Sequence, residues 1–505
     1  MAHKEDQSIY VITFPLRTEK WQEDRIDKMM RLLTVFYNEK QKALVEKWLH
    51  ISKSKEYLAK KTESSINSVI SYMRDYGYSE YGLKEFFKDK NQTDSPLITH
   101  GLNSCILRNL AKAAWSAWEK KLSEKRKNIF IKTDKEVNII KSDYISWKDR
   151  RTGEKKGNIL GFDVDLEHLS ITMYASKPHR HSMFTLPFVV NRESDYEAFA
   201  IGEMHQDRTK LRNIAIVRKQ IRGKAKYYVQ FSIFGTPYNK GRKLGRGVVG
   251  IDPGPGKIAV VSDQEVKVIT LAESIVADER ETHCLQRKLD RSRRATNPDN
   301  YNEDGTIKRG VKLHFEKSES YKRTQARLAD MQRKLAAKRK IAHNKLANEL
   351  LAMGNEFRVE DNNFKSWQAR AKETTYDKKG RCRAKSRYGK SIGRCAPSEF
   401  FTILKNKVNR LPNGVYVDIP DSIGCTAFDF TNGEFTKHHP RERTITTSDG
   451  HEHDRDALAA FNMKFVRTEE LEDKKKVEKS KKNFDNISMA DFYPKFCRME
   501  KRMKK

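Results

Sequence analysis

The chain has 505 residues, and its 101 Lys and Arg against 68 Asp and Glu give a formal net charge of +33 at pH 7. This length corresponds to about three domains of roughly 150 residues each, and the hydrophobic fraction of 37% is too high for a disordered chain. No run approaches the roughly 18 consecutive apolar residues of a membrane span, and the start MAHKEDQSIYVITF lacks a secretory apolar region. We therefore expect neither membrane insertion nor secretion.

The surplus of cations requires anionic partners. Nucleic-acid phosphates are the usual ones, because each neutralised phosphate releases condensed counterions. An acidic membrane surface is the alternative, and we favour nucleic acid because the cations run through the whole chain instead of forming one amphipathic anchor. The six cysteines are scattered and never paired as C-x-x-C, so we expect reduced thiols in an intracellular compartment.

The first half of the chain alternates between strand and helix patterns. SIYVITF (8–14) is β-branched and aromatic and predicts a strand. Apolar residues at three-, four- and seven-residue steps predict helices over about 19–49 and 102–127. Short β-rich runs between 138 and 235 predict a small β-barrel or sandwich. The strand at 8–14 would belong to this barrel, with the helices inserted between.

The second half begins near Gly247 with an apolar strand that ends in an acid, followed by a Gly/Pro turn and another apolar strand. A basic connector leads to a long helix with a charged face over about 320–353. The remaining predicted elements are the strand EFRVED, a helix that begins near Pro397, a last ordered segment DRDALAAFNMKFV, and a solvated, partly mobile tail from Glu469 onwards.

Three acids each lie at the edge of a predicted element in this half. Asp252 follows VVGI, Glu360 ends FRV, and Asp456 opens the last amphipathic segment. If the fold brings them together, carboxylates with water and phosphate suit Mg²⁺ or Mn²⁺ rather than zinc. Two such ions about 4 Å apart position an attacking water and stabilise the leaving oxygen of a phosphodiester. Taken singly, each acid also fits a structural role as a turn former, a surface charge or a helix cap.

Taken in order, these motifs resemble those of a known nuclease family. GIDPG, VED and RDALAAF are similar to the three motifs of the RuvC-type, RNase H-like nuclease domain, and more narrowly to those of TnpB, the transposon-encoded RNA-guided nuclease, and of the compact type V CRISPR effectors derived from it. The similarity is strongest over 247–466 and weaker at the N-terminus. The further segments that resemble the family are VITFPLRTEKW…VFYNEK, LQRKLDRSRRATNPDNYNEDGTIKRG, FKSWQARAKETT and APSEFFTILKNKV.

The resemblance implies a multidomain α/β protein, in which a RuvC-like nuclease domain accompanies a β-barrel wedge domain with an inserted α-helical recognition domain. The implied segments are the first wedge strand (1–18), the helical recognition domain (19–137), the rest of the wedge barrel (138–245), the nuclease domain with its basic helix and inserted loop (246–468, 320–353 and 365–450) and a basic tail (469–505).

The resemblance also implies roles for individual residues. Asp252, Glu360 and Asp456 would be the catalytic, metal-binding triad for two Mg²⁺ or Mn²⁺ ions. We prefer Asp456 to Asp454 because the family's third acid stands directly before a small-residue run, here ALAAF. The basic helix would lie against a guide–target heteroduplex and read its backbone shape. The nucleic-acid-binding cations would be Arg323, Arg327, Arg333, Lys334, Lys338 and Arg339.

Two features depart from the family pattern. Paired C-x-x-C motifs, which form a zinc ribbon in many TnpB proteins, are missing between the second and third acids. The candidate ligands there are Cys382, Cys395, Cys425, His438, His439, His451 and His453, and we expect no structural zinc from such irregular spacing. The Asn that usually follows the third acid by two positions is Leu458 here, which leaves the orientation of Asp456 open.

The sequence therefore predicts an RNA-guided DNA endonuclease of the bacterial or archaeal cytoplasm. Its partners would be a guide RNA and double-stranded target DNA carrying a short flanking motif, and one metal-dependent RuvC site would cut. A nuclease-inert, RNA-guided DNA-binding protein is one alternative, against which the presence of all three acids argues. A guide-independent RNase H-like resolvase or transposase is another, but it would not need the N-terminal strands and helices or the basic helix.

Overall fold

The computed structural model describes residues 8–62, 66–79, 82–83, 102–122, 136–143, 146–148, 155–157, 161–174, 182–207, 210–275, 279–308, 310–311, 313–369, 375–376, 382–383, 388–439, 442–468 and 479–504. These residues form mixed α/β structure, and the chain divides into two compact units, Met1–Lys240 and Gly241–Lys505. None of the described helices combines the length and the apolar composition that crossing a bilayer requires.

The helices of the first unit are α1 (Lys20–Ile51), α2 (Lys55–Thr62), α3 (Ile66–Arg74), α4 (Ser104–Leu122) and α5 (Asp195–Gln206). Its strands are β1 (Ile9–Pro15), β2 (Ile139–Asp143), β3 (Ser146–Lys148), β4 (Lys155–Gly157), β5 (Phe162–Asp165), β6 (Ser170–Tyr174), β7 (Ser182–Pro187), β8 (Leu211–Ile221) and β9 (Lys224–Phe234).

The N-terminal strand joins a sheet whose other members come from beyond the helices. β1 pairs antiparallel with β9, from Ile9 opposite Phe234 to Pro15 opposite Tyr228. The four-stranded sheet has the order β1-β9-β8-β2, and a three-stranded sheet has the order β5-β6-β7. The first strand thus pairs within a sheet whose other strands follow residue 138, and helices α1 to α4 lie between them in the sequence.

A single hydrophobic core connects these strands with the inserted helices. Helix α1 buries Ile26, Met29, Met30 and Leu33, which are spaced as the face of an amphipathic helix requires. The rings of Phe14, Phe188 and Phe231 pack with centroids 5.4–5.9 Å apart, as buried aromatic side chains commonly do. Burial of this apolar surface therefore holds the strands and helices of the unit together.

Helices α2, α3 and α5 of this unit were not predicted. Ser194 caps α5 by accepting a hydrogen bond from the backbone N–H of Glu197, and the S-x-x-E spacing is a known signal for a helix start. The helix predicted over 102–127 is described to Leu122, and 123–127 lie outside the described residues.

The helices of the second unit are α6 (Glu279–Thr296), α7 (Glu319–Leu351), α8 (Phe364–Gln368), α9 (Gly389–Cys395), α10 (Pro397–Val408), α11 (Arg455–Lys464) and α12 (Asn486–Met503). Its strands are β10 (Val248–Pro253), β11 (Lys257–Val261), β12 (Val266–Thr270), β13 (Glu356–Glu360), β14 (Thr375–Tyr376), β15 (Cys382–Arg383), β16 (Val415–Ile419), β17 (Phe428–Asp429), β18 (Glu434–Phe435), β19 (Thr444–Thr446) and β20 (Glu452–Asp454).

The main sheet of this unit has five strands in the order β12-β11-β10-β13-β16. β10, β11 and β12 pair antiparallel, whereas β10, β13 and β16 pair parallel. Helix α11 packs on the sheet at Gly250, where an added Cβ would lie 2.0 Å from the carbonyl oxygen of Ala460. Glycine at this position therefore permits the close approach of helix and strand.

Helix α6 and strand β16 are among the elements of this unit that were not predicted. Helix α6 lies in the segment interpreted as a basic connector, where few apolar residues mark a helix, and Asp290 pairs with Arg293 and Arg294 at helical spacing. Strand β16 is short and lies at the edge of the sheet, where half-exposed residues give a weak pattern.

The prediction that regular structure ends near residue 466 is wrong. Helix α12 follows, and Met489, Phe496 and Met499 are buried in the core of the second unit. The rings of Phe428 and Phe484 stack with centroids 4.1 Å apart. The high charge of the segment concealed an apolar spacing of three and four residues, which a solvated tail would not have. Residues 469–478 of the predicted tail lie outside the described residues.

Candidate active site

Two of the three predicted acids lie on adjacent strands. Each comes directly after one member of a pair of residues that face each other across the two strands. Ile251 of β10 pairs in parallel with Val359 of β13, and the next residues are Asp252 and Glu360. Neighbouring strands are about 4.8 Å apart, and residues at the same level point to the same face of the sheet. Both acids are partly buried. The strand register therefore places the two carboxyl groups side by side.

Asn362 ties this pair of acids to the end of β10. Its Nδ2 donates hydrogen bonds to Oε2 of Glu360 at 2.8 Å and to the carbonyl oxygen of Pro253 at 3.2 Å. The amide thus orients the Glu360 carboxyl group and fixes it relative to the residue after Asp252. The sequence analysis did not identify this residue, although an amide side chain two positions after a strand-terminal acid is a usable signal.

The electrostatic environment disfavours two ionised carboxylates here. Burial raises the pKa of Asp252 well above its usual range, and repulsion from Glu360 and Asp456 raises it further, while Arg455 acts in the opposite direction. Burial also raises the pKa of Glu360, although the hydrogen bond from Asn362 opposes the increase. A bound divalent cation would relieve this repulsion, so the donor chemistry of Asp252 and Glu360 fits such an ion.

The third acid lies in the first turn of α11. Asp454 caps this helix, because its Oδ1 accepts hydrogen bonds from the backbone N–H groups of Asp456 and Ala457, both at 3.0 Å. The cap gives Asp454 a structural role and leaves the Asp456 side chain outside the capping interaction.

Two arginines hold the Asp456 carboxylate. Arg455 donates to Oδ1 from Nε at 3.0 Å and from Nη2 at 2.7 Å, and Arg443 donates to Oδ2 from Nη1 at 3.2 Å. Charge-assisted hydrogen bonds of this kind are about twice as strong as neutral ones. Both oxygens of this carboxylate are therefore engaged by guanidinium groups.

The structure thus brings the three acids into one electrostatic neighbourhood without forming a complete ligand cluster. Asp456 is close enough to raise the pKa of Asp252. Within the described part of the chain, however, no group of three or more His, Cys, Asp or Glu side chains is arranged to hold a metal ion. Asp252 and Glu360 lie side by side on adjacent strands, whereas the carboxylate of Asp456 is bonded to Arg443 and Arg455.

Two further titratable residues lie near the pair of acids, and the sequence analysis gave neither of them this position. Asp421, which follows β16, repels Glu360 electrostatically. Cys425 is buried, and burial raises the pKa of its thiol well above the usual range, with further contributions from Glu360 and Asp252. Both residues reach the site because β16, which was not predicted, pairs with β13.

The candidate zinc ligands lie in different surroundings. Cys425 belongs to the core beneath α11 and Cys395 to a second core around α9 and α10. His453 is buried and hydrogen-bonds with Glu500, whereas His438 lies 3.5 Å from Glu442. The backbone of Cys382 lies in β15, and its side chain lies outside the described part of the chain.

The six predicted nucleic-acid-binding cations all lie on α7, and most have acidic partners in the structure. Arg339 pairs with Glu399 at 3.4 Å and also donates to two backbone carbonyls at 3.1 Å. Arg323 and Lys338 are exposed, and neither forms an ion pair with a described acid. The other ion pairs are Arg327–Glu281 at 2.7 Å, Arg333–Asp330 at 2.7 Å and Lys334–Asp330 at 3.3 Å.

Comparison with known proteins gives only distant similarity. No family model and no curated protein matches the sequence. A Cas12f1–sgRNA–target DNA complex matches with 12% identity and a TM-score of 0.45, over 91% of this chain and 99% of that chain. The mini-RNA-guided endonuclease CRISPR-Cas_phi3 matches with 10% identity and a TM-score of 0.38, over 91% and 92%. A Cas12i–crRNA–dsDNA complex matches with 11% identity and a TM-score of 0.31, over 96% and 69%. These TM-scores are too low to establish a shared fold.

Proposed function

We propose that the chain is an RNA-guided DNA endonuclease that cuts at a single metal-dependent site of the RuvC type. The observation that carries this proposal is the parallel pairing of β10 with β13, which places Asp252 beside Glu360. Helix α11 packs on the same sheet, and its Asp456 raises the pKa of Asp252 by repulsion. The adjacency of Asp252 and Glu360 and the repulsion between Asp252 and Asp456 support the proposal that the three motifs form one site.

Divalent ions would be held by the carboxyl groups of Asp252 and Glu360, joined by Asp456 when it separates from its arginines. When bound, Mg²⁺ or Mn²⁺ would activate the attacking water and neutralise charge on the scissile phosphate. Asn362 keeps the Glu360 carboxyl group in place through its hydrogen bond. Arg443 and Arg455 are suited to bind phosphate oxygens, since guanidinium groups bind carboxylates and phosphates with similar geometry.

The nucleic-acid part of the proposal rests on charge and on the sequence resemblance. A net charge of +33 favours a polyanionic partner. On α7, Arg323 and Lys338 are exposed and unpaired with any described acid, so they are available for phosphates. A guide RNA and a double-stranded DNA target are the partners that the resemblance to TnpB implies.

The test is purification of the chain with its flanking DNA, sequencing of the co-purified RNA, and cleavage of a matching DNA in Mg²⁺. We expect one discrete RNA and RNA-dependent cleavage. Glu360→Gln should abolish cleavage and leave target binding intact. Asp361→Asn is the matched control, because this exposed neighbour changes the same charge outside the acid pair. Cleavage of branched DNA without RNA would instead support a guide-independent resolvase.

A second candidate is an RNA-guided DNA-binding protein that does not cut. The contacts of Arg443 and Arg455 with both Asp456 oxygens favour this alternative, because they occupy a group that catalysis needs. Tight, RNA-dependent target binding without cleavage in either Mg²⁺ or Mn²⁺ would establish it.

A further inference from the structure

The C-terminal helix α12 is connected to the start of α11 by a buried carboxylate. Glu500 is 2% exposed, and its Oε1 accepts a hydrogen bond from the backbone N–H of Asp454 at 2.6 Å. Its Oε2 lies 2.7 Å from Nδ1 of His453, which is 1% exposed. A buried carboxylate is costly unless it is hydrogen-bonded, so these contacts specify how the helix sits on β20.

Further polar groups complete the network around Glu500. Nε2 of His453 lies 2.8 Å from the hydroxyl of Tyr493, which donates to Oδ2 of Asp449 at 2.8 Å. Nζ of Lys504 lies 3.0 Å from Oε1 of Glu500. Burial acts to raise the pKa of Glu500, but hydrogen bonds from His453, from the Asp454 backbone and from Lys504 lower it overall. The carboxylate is therefore held ionised in a fixed position.

This network reaches the candidate active site through one residue. The Asp454 backbone is held by Glu500, while the Asp454 side chain caps α11 by binding the N–H groups of Asp456 and Ala457. Asp454 thus connects α12 with the first turn of α11, where the third acid lies. A shift of Glu500 would be transmitted directly to the backbone that carries Asp456.

We propose that Glu500 is a positioning residue that fixes Asp456 relative to Asp252 and Glu360. This inference rests on the proposed function, because it assigns Glu500 to the same metal-dependent site. The role of Glu500 would be that of a residue that orients a metal ligand without contacting the metal. Loss of such a residue typically costs about 10–100-fold in metal affinity or activity.

Apolar contacts also attach α12, in addition to those of Glu500. Met489, Phe496 and Met499 bury apolar side chains, and the rings of Phe461 and Phe496 lie with centroids 4.7 Å apart. Glu500→Ala should therefore leave the helix docked and remove the contact with the Asp454 backbone. Glu500→Gln retains an oxygen that can accept from Asp454 and an amide that can donate to unprotonated Nδ1 of His453.

The experiment uses the full chain freed of nucleic acid, with Fe²⁺ as the probe metal. Ascorbate and peroxide then generate radicals that cut the backbone next to the bound iron, and fragment mapping shows which segments contribute to the site. Wild type should be cut near 252, 360 and 456. In Glu500→Ala, cutting near 456 relative to cutting near 360 should fall by about tenfold, and Glu500→Gln should restore it to within about twofold of wild type.

Met489→Ala is the matched control, because it removes a buried side chain from the same helix. This substitution should lower the melting temperature and leave the ratio of cutting near 456 to cutting near 360 unchanged. If Glu500→Ala does not fold, Glu500→Asp, which withdraws the carboxylate by one methylene, should still reduce the ratio.

The outcomes separate this inference from the proposed function. Wild type that is not cut near 252 and 360 would overturn the proposed function. Normal cuts there, with an unchanged ratio in the Glu500 variants, would overturn the positioning role alone. An equal fall in Met489→Ala at matched stability would also overturn it, since general loosening of α12 would then suffice.

Discussion

Arg443 donates a hydrogen bond from Nη1 to Oδ2 of Asp456 at 3.2 Å, although it lies 13 positions earlier in the chain. Arg455 engages the other carboxylate oxygen of the same residue. The third acid of the candidate site is therefore bound by cations of the protein itself. A metal ion and these arginines would compete for the same oxygens.

Removal of Arg443 should strengthen metal binding in the absence of nucleic acid. Arg443→Ala frees Oδ2 of Asp456 and removes a positive charge, so the Mn²⁺ concentration for half-saturation should fall about threefold, as expected for an exposed ion pair worth up to ~1 kcal/mol. Titration followed by the EPR signal of free Mn²⁺ measures this. Arg467→Ala, which removes a surface cation of the same unit, should leave the affinity unchanged. Weaker binding in Arg443→Ala would show that the arginine supports the metal site.

The raised pKa of Asp252 predicts a pH-dependent gain in stability from Asp252→Asn. A carboxyl group with a folded-state pKa above its unfolded value binds protons more tightly in the folded state. The pKa of Asp252 in the unfolded chain is about 3.9, and its pKa in the folded protein is higher. Between these two pKa values, wild type loses stability as the pH rises. The neutral amide avoids this loss, so the variant should be more stable than wild type at pH 7 and show no advantage below about pH 4.

Denaturant unfolding of wild type and Asp252→Asn at several pH values measures this difference. Saturating Mg²⁺ should reverse it, because an ion that binds the folded wild type stabilises that state. Equal stability of the two proteins at pH 7 without Mg²⁺ would contradict the electrostatic description of the acid pair.

Much of the site could be predicted from sequence because its parts lie at the ends of strongly patterned elements. The apolar runs before Asp252 and Glu360 identify two buried strands, and the small-residue run after Asp456 identifies a helix that packs closely. Parallel strands that are adjacent in a sheet place their terminal acids together. The order of the motifs along the chain therefore carried information about their meeting in space.

The contacts of these acids could not be predicted in the same way. Arg443 belongs to a segment without periodic pattern, and its distance from Asp456 depends on how β19 pairs with β20. Glu500 lies on a helix whose high charge concealed its apolar face. Long-range polar contacts of this kind follow from tertiary packing, which local patterns do not encode.

The close contact between α11 and β10 predicts a specific sensitivity at Gly250. In Gly250→Ala the new methyl group would lie 2.0 Å from the carbonyl oxygen of Ala460 and 2.6 Å from the backbone nitrogen of Lys464. Both are backbone atoms of α11, which cannot shift without a cost in free energy. The free energy of unfolding should therefore fall by about 2–3 kcal/mol. Gly256→Ala is the matched control, because its Cβ would lie 3.4 Å from Sγ of Cys395, an ordinary contact. Comparable denaturant midpoints for the two variants would contradict this packing.

The ion pairs of α7 divide its cations into two classes with different expected effects. Arg323 and Lys338 have no described acidic partner, so each Ala substitution should weaken RNA binding and reduce the slope of log K against log salt by about 0.7–0.9. Arg339→Ala should instead lower stability, because this side chain holds Glu399 and the carbonyl oxygens of Gly393 and Arg394. Filter binding across a salt series and thermal melting of the same variants measure both effects. Since the net charge changes equally in all three variants, a slope that falls equally in Arg339→Ala would show that total charge, and not the pairing on this helix, governs the interaction.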